Sequence, residues 1–314
     1  MPSLIRNSVQ QLHGYVPGEQ PDDPDIVKLN TNENPYPPSP AVEEALRNLG
    51  MDVLRLYPDP VCRRLRERLG EIHGCGPEQV FVGNGSDEFL ALCLRAYVER
   101  DGSVGYFDPS YSLYPILSAI EDLETRPVTL PEDFGWTMPE DYAASLFFLT
   151  HPNAPTSLLF PDEAIRDFCR TFPGVVVIDE AYVDFADRHY MDLALNADRV
   201  LVTRTLSKSC SLAAIRLGYA IGPVPLIEAL YKIKDSYNVN GLSQAVALAA
   251  LSDPDWMADN VARIKRTRTR VSEALRTLGW RVLDSQTNFL WAEPAKIPAQ
   301  KLFEELRRRC ILVR

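Results

Sequence analysis

Lysine is scarce in this chain of 314 residues: seven lysines stand against 26 arginines, and between Lys28 and Lys232 the only one is Lys208. Histidine is scarcer still, with four ungrouped copies, and the six cysteines (Cys62, Cys75, Cys93, Cys169, Cys210, Cys310) show no C-x-x-C spacing. Those absences exclude a zinc site. A reduced, cytosolic, metal-free protein is expected, with most cysteines acting as small buried apolar residues. No apolar run approaches the roughly 20 residues of a spanning helix, and the N-terminal MPSLIRNSVQQLHG has no signal-peptide core. Basic residues are outnumbered 33 to 43, giving a formal charge of −10 and an isoelectric point near 5.0. Such a chain is poorly suited to nucleic acid or to an anionic membrane surface.

What is present is ordinary globular material. Hydrophobic residues make up 46% and charged residues 24%, which excludes a disordered tail or a coiled coil and suits one large domain with a small one. Proline is concentrated in the first sixty residues. Residues 1–40 show neither helical nor strand period, and so long a loop is usually functional or partner-bound; an extended arm is expected. From residue 41 short apolar runs alternate with helical patterns. Helices are expected at Val42–Leu49, Val61–Ile72, Glu88–Val98 and after Pro109, and strands at Gln79–Val82, Ser103–Phe107, Ser145–Thr150, Val175–Ile178, Arg199–Thr203 and Leu217–Ile221. Runs buried on both faces, alternating with helices, predict an α/β fold around a mostly parallel sheet. After Gly241 the pattern turns α+β, with helices at 242–252 and 255–278, strands at Trp280–Leu283 and Asn288–Trp291, and a helix at Ala299–Arg309. The expected division is an arm, 1–40, packed with the small domain and the active site; a large domain, 41–240; and a small C-terminal domain, 241–314. Ile311–Arg314 reads as the opening of a strand, so a chain cut short, or a tail beyond this sequence, is expected.

Four features carry candidate chemistry. Lys208 stands in Arg204-Thr-Leu-Ser-Lys208, where it would leave the sheet at its carboxyl end, the side on which open α/β sheets bind ligands. A lysine amine condenses with carbonyls and becomes a better nucleophile and base when its surroundings lower its pKa. Asp179, in Asp179-Glu180-Ala181-Tyr182, closes the apolar run Val175–Ile178. A carboxylate atop a buried strand needs a positive partner, and pyridoxal phosphate supplies one in its pyridinium nitrogen. Tyr182, three residues on, is spaced to hydrogen-bond the ring hydroxyl. Gly83-Asn84-Gly85-Ser86-Asp87 joins a strand to a helix, so its backbone N–H groups and the helix N-terminus suit an anion, although it has neither the Walker lysine nor G-x-G-x-x-G spacing. Ser207 and Arg216 bracket Lys208 with a hydroxyl and a guanidinium that would clamp a phosphate further. Taken singly, each feature has an ordinary alternative: a surface lysine, a strand-end helix cap, a plain turn, a surface arginine. Together they offer a carbonyl trap, a ring-nitrogen acid and phosphate donors.

With those residues in place, the chain resembles the histidinol-phosphate aminotransferase family, fold-type I pyridoxal-phosphate enzymes of the class I/II aminotransferase superfamily. The likeness runs from Tyr15-Val-Pro-Gly18 through Asn32-Glu-Asn-Pro-Tyr36, Tyr57-Pro-Asp-Pro60, Gly83-Asn-Gly-Ser-Asp-Glu88 and Pro109-Ser-Tyr-Ser-Leu-Tyr114. It continues through His151-Pro-Asn-Ala-Pro-Thr156, Asp179-Glu-Ala-Tyr-Val-Asp-Phe185, Ser211-Leu-Ala-Ala-Ile-Arg-Leu-Gly-Tyr219 and Tyr237-Asn-Val-Asn-Gly241 to Arg314. The resemblance implies pyridoxal 5′-phosphate as cofactor, held covalently by Lys208, which also shuttles the proton. It implies Asp179 at the ring nitrogen, Tyr182 at the ring oxygen, and Tyr111 stacked on the ring. The phosphate would be held by the backbone amides of Ser86 and Asp87, by Ser207 and by Arg216, with Tyr57 reaching the cofactor of a neighbouring subunit in a homodimer. Tyr15, Asn32 and Arg314 would meet the substrate, L-glutamate or L-histidinol phosphate. Other members of the superfamily, an aromatic aminotransferase or a threonine-phosphate decarboxylase, and a non-catalytic relative, are the alternative readings. Two departures stand out. The family's Asn-Asn-Pro-Thr-Gly has Ala154 before the proline and Ser157 at its end, leaving Asn153 as the candidate substitute. Family members also continue past the position of Arg314 into a strand with a second, carboxylate-binding arginine and a last helix.

Overall fold

The structure, a computed structural model, describes residues 4–314. The arm carries two short elements, α1 (Asn7–Gln11) and β1 (Val27–Lys28). Next come α2 (Pro40–Arg47), α3 (Arg63–His73), β2 (Val80–Gly83), α4 (Ser86–Tyr97), β3 (Ser103–Asp108), α5 (Leu113–Ile120) and β4 (Glu124–Thr129). They are followed by β5 (Leu146–Thr150), α6 (Asp162–Thr171), β6 (Val175–Asp179), α7 (Met191–Asn196), β7 (Val200–Thr205), β8 (Gly218–Ile221) and α8 (Val224–Ile233). The remainder forms α9 (Gly241–Leu251), α10 (Pro254–Thr277), β9 (Arg281–Val282), β10 (Ala292–Glu293), α11 (Ala299–Arg308) and β11 (Ile311–Leu312).

Seven strands make the central sheet, in the order β2-β8-β7-β6-β5-β3-β4. All neighbours pair in parallel except β8, which runs antiparallel to both β2 and β7. The fold is α/β. Successive strand side chains point to opposite faces, and both faces here are apolar. Val80, Val82, Phe147, Leu149, Val176, Ile178, Val200 and Val202 join one core cluster, while Phe81, Leu146, Phe148, Val177 and Leu201 join the other. Helices α3, α6, α7 and α9 cover the first face through Leu65, Leu69, Ile165, Phe168, Met191, Val246 and Ala247. On the second face α4, α5 and α8 cover the sheet through Phe89, Leu90, Tyr114, Ile227 and Leu230. Helix α9, after Gly241, is thus built into the main core.

Three local readings change. The arm is not featureless, because β1 pairs in parallel with β11, Val27 opposite Ile311 and Lys28 opposite Leu312. Its partner is the strand expected at Ile311–Arg314, and a pairing over so long a separation leaves no local period in the arm. Strand β4 carries no apolar run, being an exposed edge whose Pro127 an edge tolerates. The strand expected at Asn288–Trp291 is replaced by a turn. Ser285 and Thr287 hydroxyls both donate to the Phe289 carbonyl, so side chains take the place of a ladder, and β10 starts only at Ala292. Of the cysteines, Cys62, Cys93 and Cys169 are buried, Cys75 and Cys210 half-buried and Cys310 exposed. Among the described residues no helix is long and apolar enough to cross a membrane.

Phe147 has no exposed surface and meets the rings of Phe107, Tyr142, Phe168 and Phe172. Phe147→Ala should cost ~3–5 kcal/mol of stability, read as a lowered denaturant midpoint; a loss under ~1 kcal/mol would show that this core collapses around the gap.

Candidate active site

Strands β5 and β6 end side by side, with Thr150 opposite Asp179, and Thr203 of β7 lies across from Asp179 on the other side. The carboxylate of Asp179 is 3% exposed. Its Oδ2 accepts a hydrogen bond from the Tyr114 hydroxyl at 2.9 Å, its Oδ1 one from the Ala181 amide at 3.1 Å, and no cationic side chain pairs with it among the described residues. Burial pushes its pKa up to about 6; the Tyr114 and Ala181 hydrogen bonds hold it down, and the charges of Asp87 and Glu180 push it further up. Its neighbour Glu180 is equally buried but has its counterion: Arg204 donates from Nε at 2.9 Å and approaches from Nη2 at 2.8 Å. The two adjacent acids therefore face opposite electrostatic situations.

Lys208 follows β7 on the loop that leaves the same edge. Its Nζ donates to the Thr31 carbonyl at 2.8 Å and lies 5.7 Å from the centre of the Tyr182 ring. Burial pulls its pKa down to about 8; Glu33 opposes that fall and Arg216 adds to it. The arm latches the loop itself, since Asn34 Nδ2 donates to the carbonyls of Lys208 and Ser209 at 3.0 and 3.1 Å. Asn32 Nδ2 donates to the Tyr182 hydroxyl at 3.1 Å, and Asn288 Nδ2 holds the Asn32 carbonyl at 2.9 Å. Burial raises the Tyr182 phenol to about 12, so it stays protonated, and its own proton remains to be given.

The glycine turn before α4 forms a cradle whose closeness explains its glycines. Gly85 has φ +84°, and a Cβ there would sit 2.8 Å from Arg216 Nη2. At Gly218 a Cβ would come 2.5 Å from the backbone nitrogen of Ser86, so β8 passes directly against the start of the helix. Arg216 itself holds a left-handed backbone, φ 54°, a conformation costing of order 1–3 kcal/mol outside glycine and typical of functional sites. Its Nη2 lies 3.4 Å from Asp87 Oδ2, and the Tyr111 hydroxyl donates to Asp87 Oδ1 at 3.2 Å. Ser207 is buried, and its hydroxyl oxygen accepts from Thr205, which leaves the Ser207 proton unspent.

These contacts bring Lys208, Tyr182 and Asn32 into one group and Asp87, Tyr111 and Arg216 into another. Tyr15 joins through its ring, 6.3 Å from that of Tyr111, and Arg314 Nη1 lies 3.4 Å from the Tyr15 hydroxyl. Asn153 is spoken for: its Nδ2 donates to the Pro109 carbonyl and the Thr156 hydroxyl, leaving only its buried Oδ1 without a partner. Tyr57 is 80% exposed and stacks on Tyr237 at 4.4 Å, outside these groups. Three participants escaped the sequence reading. Thr31 acts through a backbone carbonyl and leaves no residue-type signal. Tyr114 and Thr150 do leave one, as hydroxyls ending or interrupting the apolar segments LYPILSAI and LFFLT.

A model of the aminotransferase class I and II family matches residues 24–314. The chain belongs to that family. Among curated relatives this aminotransferase is 43% identical to the histidinol-phosphate aminotransferase of Syntrophotalea carbinolica, over 99% of this chain and 90% of the relative. It is 45% identical to histidinol-phosphate aminotransferase 2 of Thiobacillus denitrificans, over 98% and 87%. Its fold matches the crystal structure of the histidinol-phosphate aminotransferase of Sinorhizobium meliloti in complex with pyridoxal-5′-phosphate, with TM-score 0.86, 24% identity and coverage of 99% and 89%. Class I and II aminotransferases use pyridoxal 5′-phosphate, and the residues here fit it. A glycine-lined helix N-terminus with Arg216 suits a phosphate, a buried carboxylate lacking a cation suits a protonated ring nitrogen, and an amine of lowered pKa suits a carbonyl.

The Lys208 shift has a measurable sign. In the unfolded chain the amine titrates near 10.5 and in the folded apoprotein near 8, so the folded state binds fewer protons between those values. Stability should therefore rise with pH across that window, and the cost of burying the ammonium is felt in full below it. Pulse acetylation of the apoprotein read by mass spectrometry should find Lys208 half-reactive near pH 8, whereas an ordinary lysine reaches that point near 10.4; an ordinary profile at Lys208 would contradict the buried, latched amine.

Proposed function

We propose that this aminotransferase exchanges an amino group between L-glutamate/2-oxoglutarate and L-histidinol phosphate/imidazole-acetol phosphate, a step of histidine biosynthesis, in the cytoplasm. The transaminase chemistry rests on one observation, the buried Lys208 of lowered pKa placed at the same sheet edge as the buried, cation-free Asp179. The choice of substrate rests on the two relatives of that name, each more than 40% identical over nearly the full chain.

When bound, pyridoxal 5′-phosphate supplies a carbonyl that links covalently to amines and a protonated ring that withdraws electrons. Asp179 would keep that ring nitrogen protonated, its carboxylate gaining the cation it lacks. Arg216, the Ser207 hydroxyl and the amides of Ser86 and Asp87 would hold the phosphate, a set in which charge-assisted bonds dominate. Tyr111, fixed by Asp87, would cover one face of the ring. Tyr182 would give its free proton to the ring oxygen, while the donors of Asn153, committed to Pro109 and Thr156, leave Tyr182 the principal donor there. Lys208 Nζ, neutral above about pH 8, would take the proton from the amino-bearing carbon of the substrate and return it on the acceptor side. Tyr15, Asn32 and Arg314 would line the substrate side, Arg314 meeting an anion.

A homodimer completes the reading. Tyr57 is exposed beside other exposed apolar side chains, Met51, Leu54, Leu56 and Tyr237, a surface suited to a second copy that would receive Tyr57 at its own cofactor phosphate. The arm, 1–40, would pack with the small domain, 241–314, and with the active site, a reading supported by the pairing of β1 with β11 and by the bonds of residues 31–34 to Tyr182 and the lysine loop.

The test is direct. With pyridoxal phosphate the purified protein should form histidinol phosphate from imidazole-acetol phosphate and glutamate, and prefer that acceptor to aromatic keto acids. Lys208→Ala should lower kcat by about 10²–10⁴-fold or more, with a circular dichroism spectrum unlike an unfolded chain's. Arg314→Ala should lower kcat/KM for the phosphorylated substrate by ~1.5–3 kcal/mol and leave that for glutamate less affected. Turnover of aromatic keto acids in preference, or release of carbon dioxide from phosphothreonine, would overturn the substrate assignment.

A further inference from the structure

Tyr114 lies on α5, three residues beyond Tyr111, and has no exposed surface. Its ring stacks on Phe148 at 4.6 Å and 14° and meets the Tyr111 ring edge-on at 5.6 Å. Its hydroxyl is bonded twice, to Thr150 Oγ1 at 2.6 Å and to Asp179 Oδ2 at 2.9 Å. An ionised carboxylate accepts only, so the one proton of Tyr114 goes to Asp179, and Thr150 must supply the proton for the other bond. The result is a directed chain, Thr150 to Tyr114 to Asp179, ending on a charge, where a hydrogen bond is strongest.

Resting on the cofactor reading above, we propose that Tyr114 is a positioning residue whose hydroxyl, aimed by Thr150, orients the Asp179 carboxylate to receive the ring N–H of pyridoxal phosphate. With Ala181 N–H on Oδ1 and Tyr114 on Oδ2, each oxygen has one protein donor and the carboxylate plane is fixed before anything binds. Among the described residues no other side chain bonds that carboxylate. Of the titratable groups around Asp179, Asp87 from α4, Glu180 beside it and the phenols Tyr111, Tyr114 and Tyr182 bring no positive charge, and burial holds His151, whose backbone N–H bonds the Asp179 carbonyl, in its neutral form. The same residue also backs the ring of Tyr111, so one side chain sets both the acid at the ring nitrogen and the aromatic on the ring face. Tyr114→Phe separates the two roles, keeping the ring and removing the hydroxyl.

Cofactor dissociation constants in a double-mutant cycle test the proposal. Y114F should bind pyridoxal phosphate about 10- to 100-fold more weakly than wild type, the value of a hydrogen bond to a charged group. In a D179N background the same change should matter less than about twofold, because the hydroxyl acts through the carboxylate. In the apoprotein, 13C NMR of labelled aspartate should show Asp179 protonating about one pH unit higher, or more, in Y114F. Thr150→Val, which releases the hydroxyl without disturbing the ring, should shift both readouts in the same direction by less, and carries the test if Y114F does not fold. Equal losses in the two backgrounds, or an unchanged Asp179 titration, would overturn the positioning role. Failure of the wild type itself to bind pyridoxal phosphate would instead overturn the proposed function.

Discussion

A carboxylate kept out of water at the end of a β-strand, with no cation of its own, is the constraint around which this structure is arranged. Removing an ionised carboxylate from water costs several kcal/mol unless charge or hydrogen bonds offset it. The neighbouring Glu180 shows the usual solution, an arginine in the same strand layer. Asp179 is denied it and is given two neutral donors. That choice only makes sense if the sheet is parallel at this point, since Thr150, Asp179 and Thr203 must reach the same edge for α5 and the lysine loop to close over them. The apolar residues that fill both faces of β5, β6 and β7 hold that edge rigid, and the acid is the cost carried by an otherwise dry layer.

The lysine is governed by a different element. Its amine, its loop carbonyls and the tyrosine beneath it are all held from residues 31–34 of the arm, and the arm is held in turn by Asn288 and by pairing with β11. The Lys208 amine is therefore bonded to a backbone carbonyl and its loop to an amide side chain, neutral groups, so burial sets most of its basicity while the charges of Glu33 and Arg216 pull in opposite directions. A buried ammonium surrounded by carboxylates would have the opposite balance, with a raised pKa and a poorer nucleophile.

Much of this was written in local pattern. The buried runs at 145–150, 175–178 and 199–203 announced the parallel sheet, and Lys208, Asp179, Tyr182 and the glycine turn were found because each needs a particular residue type at a strand end. The parts that stayed hidden depend on distance along the chain. β1 is two residues long and becomes a strand only through β11, whose start Ile311–Arg314 had announced, and Thr31 contributes an atom that every residue possesses. Tyr114 sat within a recognised segment, yet nothing in PSYSLY separates the tyrosine bonded to Asp87 from the one bonded to Asp179; only the fold, by setting Tyr114 edge-on to Tyr111, tells them apart. Asn153 is the converse case. Its position suggested a donor, and the fold spends that donor on Pro109 and Thr156.

The pairing of β1 with β11 has a consequence in time as well as space. A ribosome releases residues in order, and the large sheet can collapse once β8 and α8 have emerged, with Lys208 already on its loop. The arm has by then been outside for most of synthesis and can bring Asn32 and Asn34 against Tyr182 and the lysine loop, but without Ile311 and Leu312 it has no strand to lie against. Closing so long a loop is slow because its entropy must be lost before its contacts form. A nascent chain would thus display a folded sheet before its arm has a strand to pair with.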